Sequence, residues 1–286
     1  ETLVLIDTDM GKIKVKLFND TPLHRDNFIK NVKEHRYDGL LFHRVIKQFM
    51  IQGGDINSKD APLDAHLGDG DLDYTIPAEF VYPKYFHKRG MLCAARTPDE
   101  ENPEKASSAT QFYIVTGKVY NDSTLLGMEH QMNQARLNNA FNALAQKHMK
   151  EIYKMRKDGD QEGLMNLQDT LIAQAEAQVA GEPEFRFTPE QVKAYTTVGG
   201  TPHLDGEYTE ATSEYEGEKE VLPESISADP NVRNFSYGLV DGELYYRENS
   251  RMYKQNITGR KAERIRGMVE VTAAIRSLID FQNSEY

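Results

Sequence analysis

Cysteine is almost absent: Cys93 stands alone among 286 residues. A lone cysteine cannot close an internal disulfide, so the chain carries no evidence of an oxidising compartment. It lies in the apolar run Met91, Leu92, Cys93, Ala94, which predicts a small buried core residue and not a reactive thiol. Basic charge is in short supply as well. With 34 Lys and Arg against 45 Asp and Glu, the formal net charge is −11, which repels phosphate backbones and anionic lipid; nucleic acid and membrane are not expected partners. No run of residues approaches the apolar length that spans a bilayer, and no basic-then-apolar leader precedes Thr2. The chain as given reads as soluble and cytoplasmic, although a leader already removed would be invisible. Three N-x-S/T triplets, at Asn121, Asn234 and Asn256, carry no weight without a secretory context.

What is present is enough to bury a sizeable core, since 39% of the residues are hydrophobic. Residues 3 to 18 open with Leu3, Val4, Leu5 and Ile6, pass through Asp9, Met10 and Gly11, and then alternate, with Ile13, Val15 and Leu17 on one side and Lys12, Lys14 and Lys16 on the other, which predicts a hairpin with one buried face. Thr21 and Pro22 suit a helix start, and Phe28, Ile29 and Val32 supply its apolar stripe. Leu40 to Ile51, Met91 to Ala95 and Gln111 to Val115 read as strands, the last two joined by a polar, exposed loop from Arg96 to Thr110. From about 121 to 180 the pattern turns helical. Leu137, Phe141, Leu144, His148, Ile152 and Met155 repeat at three-and-four spacing, and after a break at residues 157 to 160 so do Leu164, Leu167, Leu171, Ala175 and Val179, which predicts an antiparallel helical pair packed on itself. Thr188-Pro189-Glu190-Gln191 has the form of a capping box. Glu210 to Pro230 is acid-rich and reads as a linker, followed by a hairpin on Asp241-Gly242 and a last helix from Thr258 to Phe281.

The stretch Phe42-His43-Arg44-Val45-Ile46-Lys47-Gln48-Phe49-Met50-Ile51-Gln52-Gly53-Gly54-Asp55 is long and specific, and it resembles the central signature of the cyclophilins. Two further blocks agree in order and spacing: Ala94-Ala95-Arg96 before a loop ending in Gln111-Phe112-Tyr113-Ile114, and His203-Leu204-Asp205-Gly206-Glu207-Tyr208. The resemblance covers residues 1 to about 120 and 187 to 209. It implies a mainly β fold with helices, a cyclophilin-like β-barrel made of those two stretches and possibly incomplete. Residues 121–186 would be an inserted helical hairpin and residues 210–286 an α+β appendage. Beyond Thr209 the family's continuing strand and helix are not recognisable. Residues 222 to 282, with Asp229 to Phe235 and Tyr245 to Ser250, are faintly similar to part of the helicase-methylase proteins of mobile elements, without a nucleotide-binding or methyltransferase motif.

By resemblance the chain is a peptidyl-prolyl cis-trans isomerase that assists protein folding, acting on proline-containing peptides and unfolded proteins, with no metal or cofactor. Rotating an X-Pro bond crosses a barrier of about 18–20 kcal/mol set by amide resonance, and no covalent bond is made or broken. Such a site needs an apolar proline pocket, backbone hydrogen bonds, and a donor that favours the twisted amide. Phe49, Met50, Tyr113 and Leu204 suit the pocket, with Tyr208 as a further aromatic wall. Arg44 is implied as the catalytic donor, Gln52 as a backbone anchor, and Ala95 and Gln111 as the lining of the groove. Taken singly, Phe49 and Met50 read as core, Arg44 as a surface ion-pair partner, and Gln52 and Gln111 as caps of sheet edges; their joint order favours the site. His43 reads as a hydrogen-bonding support, because the reaction moves no proton. With no Trp in the chain and His203 where many members place one, tight cyclosporin binding is not expected. The competing reading is a cyclophilin-like client-binding module or chaperone with weak or no catalysis. A fragment of a nucleic-acid enzyme is disfavoured by the acidic balance and the lack of a P-loop.

Overall fold

The computed structural model describes residues 2–202, 211–215, 237–240, 243–248, 251–254 and 259–284. Leu204, Tyr208 and His203 lie outside the described residues, as do the Asp241-Gly242 pair and most of the acidic stretch.

Strands β1 (Thr2–Thr8) and β2 (Gly11–Leu17) pair antiparallel, Thr2 opposite Leu17 and Thr8 opposite Gly11. As the alternation requires, Ile13, Val15 and Leu17 are fully buried. Helix α1 (Pro22–Lys33) starts with proline in its first turn, where a missing N–H costs nothing. Its inner face differs from the expected stripe: His24, Phe28 and Asn31 are buried, whereas Val32 is exposed. The two polar residues are tolerated because they are paired. His24 bridges Glu79 Oε2 at 2.7 Å and Ser107 Oγ at 2.9 Å, and Asn31 Nδ2 donates to the Ala109 carbonyl at 2.8 Å.

The motif region forms β3 (Arg44–Ile46) and β4 (Met50–Gly53), a hairpin whose connection carries Gln48 at φ 61, in the left-handed region that short hairpin loops demand. Strand β5 (Thr75–Ile76) precedes β6 (Leu92–Ala94), then β7 (Ser107–Ser108) and β8 (Phe112–Val115). The 96–110 loop is exposed only over its first part. Its end forms β7, pairs with β5, and buries Ser107, Ala109 and Thr110.

Tyr120–Thr196 make a compact unit of their own. It holds α2 (Asp122–Lys147), α3 (Met149–Asp158), α4 (Gln161–Ala180) and α5 (Pro189–Thr197). The first helical stretch is split at His148 into α2 and α3, and both pack on α4. Leu171 and Ala175 are buried and most of the periodic positions are half-buried. The capping box is formed: Gln191 N donates to Thr188 Oγ1 at 3.2 Å and Thr188 N to Gln191 Oε1 at 2.8 Å.

In the other unit, β9 (Ala211–Tyr215) falls inside the stretch expected to be a linker. The correction has a physical cause: β2 and β6 both present free strand edges, and β9 pairs antiparallel with each, so tertiary pairing overrides an acid-rich composition. The resulting sheet has seven strands in the order β1-β2-β9-β6-β8-β4-β3. No pairing between β1 and β3 closes it among the described residues. Strands β10 (Tyr237–Val240) and β11 (Glu243–Glu248) form the expected hairpin, and β12 (Arg251–Lys254) adds a third strand.

Helix α6 (Gly259–Ser284) covers the apolar face of the sheet. Val271, Ile275, Leu278 and Ile279 share one core cluster with Ile13, Val15, Leu17, Phe28, Ile51, Leu92, Phe112 and Ile114. Ile265 is also buried and Val269 half-buried. Gln282 ties the helix end to β2, accepting from Lys14 N at 3.3 Å. No helix among the described residues is long and apolar enough to cross a membrane.

Candidate active site

Registry brings the motif residues together. Arg44 lies opposite Gln52, and Gln52 opposite Tyr113, so the three form a row across β3, β4 and β8. Residues directly opposite in antiparallel pairs share a face. A small cluster lies apart from the main core: Phe18, Met91, Cys93 and Val115, with Tyr85 and Tyr113 against them. Cys93 is buried, as the sequence implied.

Hydrogen bonds fix the row. Arg44 is exposed, and its Nη1 donates to Gln52 Oε1 at 3.0 Å. Gln52 Nε2 donates to Gln111 Oε1 at 2.8 Å, and Gln111 Nε2 donates to the carbonyls of Gly68 and Gly70, both at 2.8 Å. Gln111 is buried, so these bonds act in a medium of low dielectric. Ala95 is joined to the same place by backbone: its N–H donates to Gln111 O at 3.0 Å and its carbonyl accepts from Ser108 N at 2.8 Å.

The loop that holds Gln111 is built on two aspartates. Asp55 is fully buried, accepts from Asn57 N at 2.7 Å, and is bonded to Gly68 N. Asp71 accepts from Thr110 N at 3.1 Å and Thr110 Oγ1 at 3.0 Å. Two glycines allow the approach. A Cβ on Gly54, at φ 87, would stand 2.1 Å from Thr110 O, and one on Gly70 would stand 2.0 Å from Asp55 Oδ1.

The aromatic wall is only partly as expected. Met50 is buried, while Phe49 and Tyr113 are half-buried with ring centres 6.1 Å apart. Phe49 is held by backbone, its carbonyl accepting from Thr116 N at 2.9 Å and Gly117 N at 3.1 Å. His87, which no sequence pattern singled out, stacks on Tyr113 and its Nε2 lies 2.5 Å from the Tyr113 hydroxyl. Neither ring nitrogen of His43 meets a hydrogen-bond partner of normal geometry among the described residues, which leaves the structural half of its expected role. Burial pushes the His43 pKa down, with the Arg264 and Arg44 charges adding to this, against an upward pull from Asp55 and the Leu41 backbone. Arg44, Phe49, Met50, Gln52, Ala95, Gln111 and Tyr113 are thus gathered on one stretch of sheet. The arrangement offers an apolar shelf, an exposed guanidinium and oriented amides, which is the equipment for holding an extended peptide without covalent chemistry.

Comparison with known proteins agrees with the motifs. Residues 3–132 match the family model described as cyclophilin type peptidyl-prolyl cis-trans isomerase/CLD. A peptidyl-prolyl cis-trans isomerase of Acinetobacter baylyi is 36% identical over 120 residues, covering 40% of this chain and 54% of that protein. The peptidyl-prolyl cis-trans isomerase-like 3 of Dictyostelium discoideum is 33% identical over 118 residues, covering 40% of this chain and 65% of that one. A crystallised cyclophilin type isomerase of Cryptosporidium parvum shows 27% identity over 41% of this chain and 68% of its own, with a TM-score of 0.32, too low to speak for the fold. Residues 3–132 are thus similar to cyclophilin-type isomerases, and the chain spans about half to two thirds of the length of these curated relatives.

Proposed function

We propose that the chain is a peptidyl-prolyl cis-trans isomerase that assists folding by rotating X-Pro bonds in proline-containing peptides and unfolded proteins. The observation that carries this reading is the ordered relay Arg44–Gln52–Gln111 beside Phe49, Met50 and Tyr113. The proline ring rests on the apolar shelf, and the flanking backbone bonds to Gln52 and along the Ala95–Gln111 edge. Arg44 donates to the amide as its nitrogen loses conjugation, lowering a barrier of about 18–20 kcal/mol by favouring the twisted state. Leu204 and Tyr208, outside the described residues, are assigned to the pocket wall by the family resemblance alone. In this reading residues 1–120 and 187–209 are an incomplete cyclophilin-like barrel, residues 121–186 are an insertion, and residues 210–286 are an appendage that adds β9 to the sheet and whose helix seals the core. The site operates in the cytoplasm and needs neither cofactor nor metal.

The alternative, a client-binding module with little catalysis, differs in one measurable respect. Exchange spectroscopy on short X-Pro peptides, with catalytic amounts of the whole chain and of a chain cut after Thr209, separates the two. Enhanced cis–trans exchange with the whole chain supports the isomerase; peptide binding without enhanced exchange supports the module.

A further inference from the structure

A cavity of about 540 Å3 opens between the β1–β2 hairpin, α1, residues 37–43 and α6. It lies away from the proposed proline site, for none of Arg44, Phe49, Gln52, Gln111 and Tyr113 lines it. Its walls combine a polar part with an apolar one that includes Val4, Ile6, Phe28, Phe112, Met268 and Ile275. That size and lining are typical of a small-molecule pocket.

Two polar side chains, His43 and Arg264, stand in this setting. Arg264 Nε and Nη2 are buried and have no hydrogen-bond partner among the described residues, and neither ring nitrogen of His43 meets one of normal geometry. Buried donors without partners are costly, and they are rare in folded proteins. The nearby carboxylate does not answer them: Asp55 is already engaged with the backbone N–H groups of Asn57 and Gly68. Nε and Nη2 lie on one edge of the guanidinium, where two parallel N–H bonds match the two oxygens of a carboxylate. The remaining charges restrict the ligand further. Asp7, Asp9, Asp38 and Glu263 also line the cavity and are exposed, so its rim is negative and opposes a multiply charged anion such as a phosphate ester.

We propose that this cavity binds a small monocarboxylate with an apolar body, of the fatty-acid type. Its carboxylate accepts from Arg264 Nε and Nη2, and its hydrocarbon lies against Phe28, Phe112, Met268 and Ile275. The site is independent of the isomerase reading.

Calorimetric titration of the full chain with decanoate, and separately with decan-1-ol, tests the proposal. Decanoate binds at one site per chain, and more tightly than the alcohol. Arg264→Met weakens decanoate at least tenfold without changing the alcohol, and Arg264→Lys, which keeps the charge but not the fork, weakens it several-fold. Gly267→Phe places a ring in the cavity, where a Cβ meets nothing within 4 Å, and weakens both ligands. Circular dichroism confirms that each variant is folded, and the lysine variant carries the test if the methionine variant is not. Absence of decanoate binding overturns the proposal, and so does an affinity that is the same for the alcohol or unchanged in the folded arginine variants or in Gly267→Phe.

Discussion

Gln52 and Gln111 are joined amide to amide, Gln52 Nε2 donating to Gln111 Oε1 at 2.8 Å. The bond fixes the orientation of both amides. Gln52 Oε1 is taken by Arg44, and Gln111 Nε2 by two glycine carbonyls, so neither group can turn over without losing a bond. The guanidinium uses one N–H on Gln52, and its remaining N–H groups have no partner among the described residues. In the proposed isomerase those are the donors that a substrate would meet.

Arg44→Ala is expected to lower kcat/KM for a short X-Pro peptide by about 100-fold, the size of effect seen on removing a donor to a transition state. Arg44 is exposed, so the melting temperature should stay within a few degrees. Turnover within a factor of two of the parent would remove Arg44 from its proposed role.

Gln111→Ala strips the partner from Gly68 O and Gly70 O and from Gln52 Nε2. Unsatisfied buried groups cost about 1–3 kcal/mol each, so a loss of roughly 2–4 kcal/mol in urea unfolding is expected. Peptide KM should rise as Gln52 loses its anchor.

Gly54→Ala should be among the most damaging single changes, since the new methyl meets Thr110 O at 2.1 Å and φ is 87. A cost above about 3 kcal/mol is expected. Gly127→Ala in α2 is the matched control: a Cβ there meets nothing within 4 Å, and helix propensity predicts a gain of about 0.5–1 kcal/mol. Equal effects of the two substitutions on thermal melting would refute the close packing at Gly54.

His43 provides a pH test. Burial lowers its pKa from an ordinary 6.5, so the unfolded chain takes up the proton before the folded one does. The contribution is fully present above the unfolded value and is lost as pH falls below about 6.5 toward the depressed value. In denaturant titrations from pH 7.5 to 5, His43→Phe should lose less stability than the parent. Parallel curves would show that His43 does not titrate differently in the two states.

Ile279→Ala should cost about 2–4 kcal/mol, because the side chain is 1% exposed within the core shared with β2 and β4. A chain cut after Lys254 should bind a hydrophobic dye strongly, and a truncated chain that melts like the parent would show that α6 is dispensable to the core.

The sequence revealed most where a local rule was strong. Alternation placed Ile13, Val15 and Leu17, the capping box placed α5, and three-and-four spacing placed α6 within a few residues. The motif order likewise led to Arg44, Gln52 and Gln111, which registry then brought into hydrogen-bonding reach. Failures came where partners distant in sequence decide the outcome. His24 and Asn31 are buried only because Glu79, Ser107 and Ala109 satisfy them, and β9 is a strand only because β2 and β6 flank it. His87 reaches Tyr113 through folding alone, with no spacing to announce it. Phe49 is half-exposed, as a residue on a shelf must be and a core residue need not.

Helix α6 makes the core a late event in the life of the chain. Lys14 and Gln282, which bond across it, are separated by 268 positions. A ribosome moving at about 5–20 residues per second needs many seconds to travel that distance. Until then the face carrying Ile13, Ile51, Leu92 and Ile114 has no lid, and such long-range closure is slow because the chain entropy must be lost before the contacts reward it. A nascent chain stalled before residue 259 displays that face to solvent, and it is itself the kind of sticky, half-finished polypeptide that folding helpers bind.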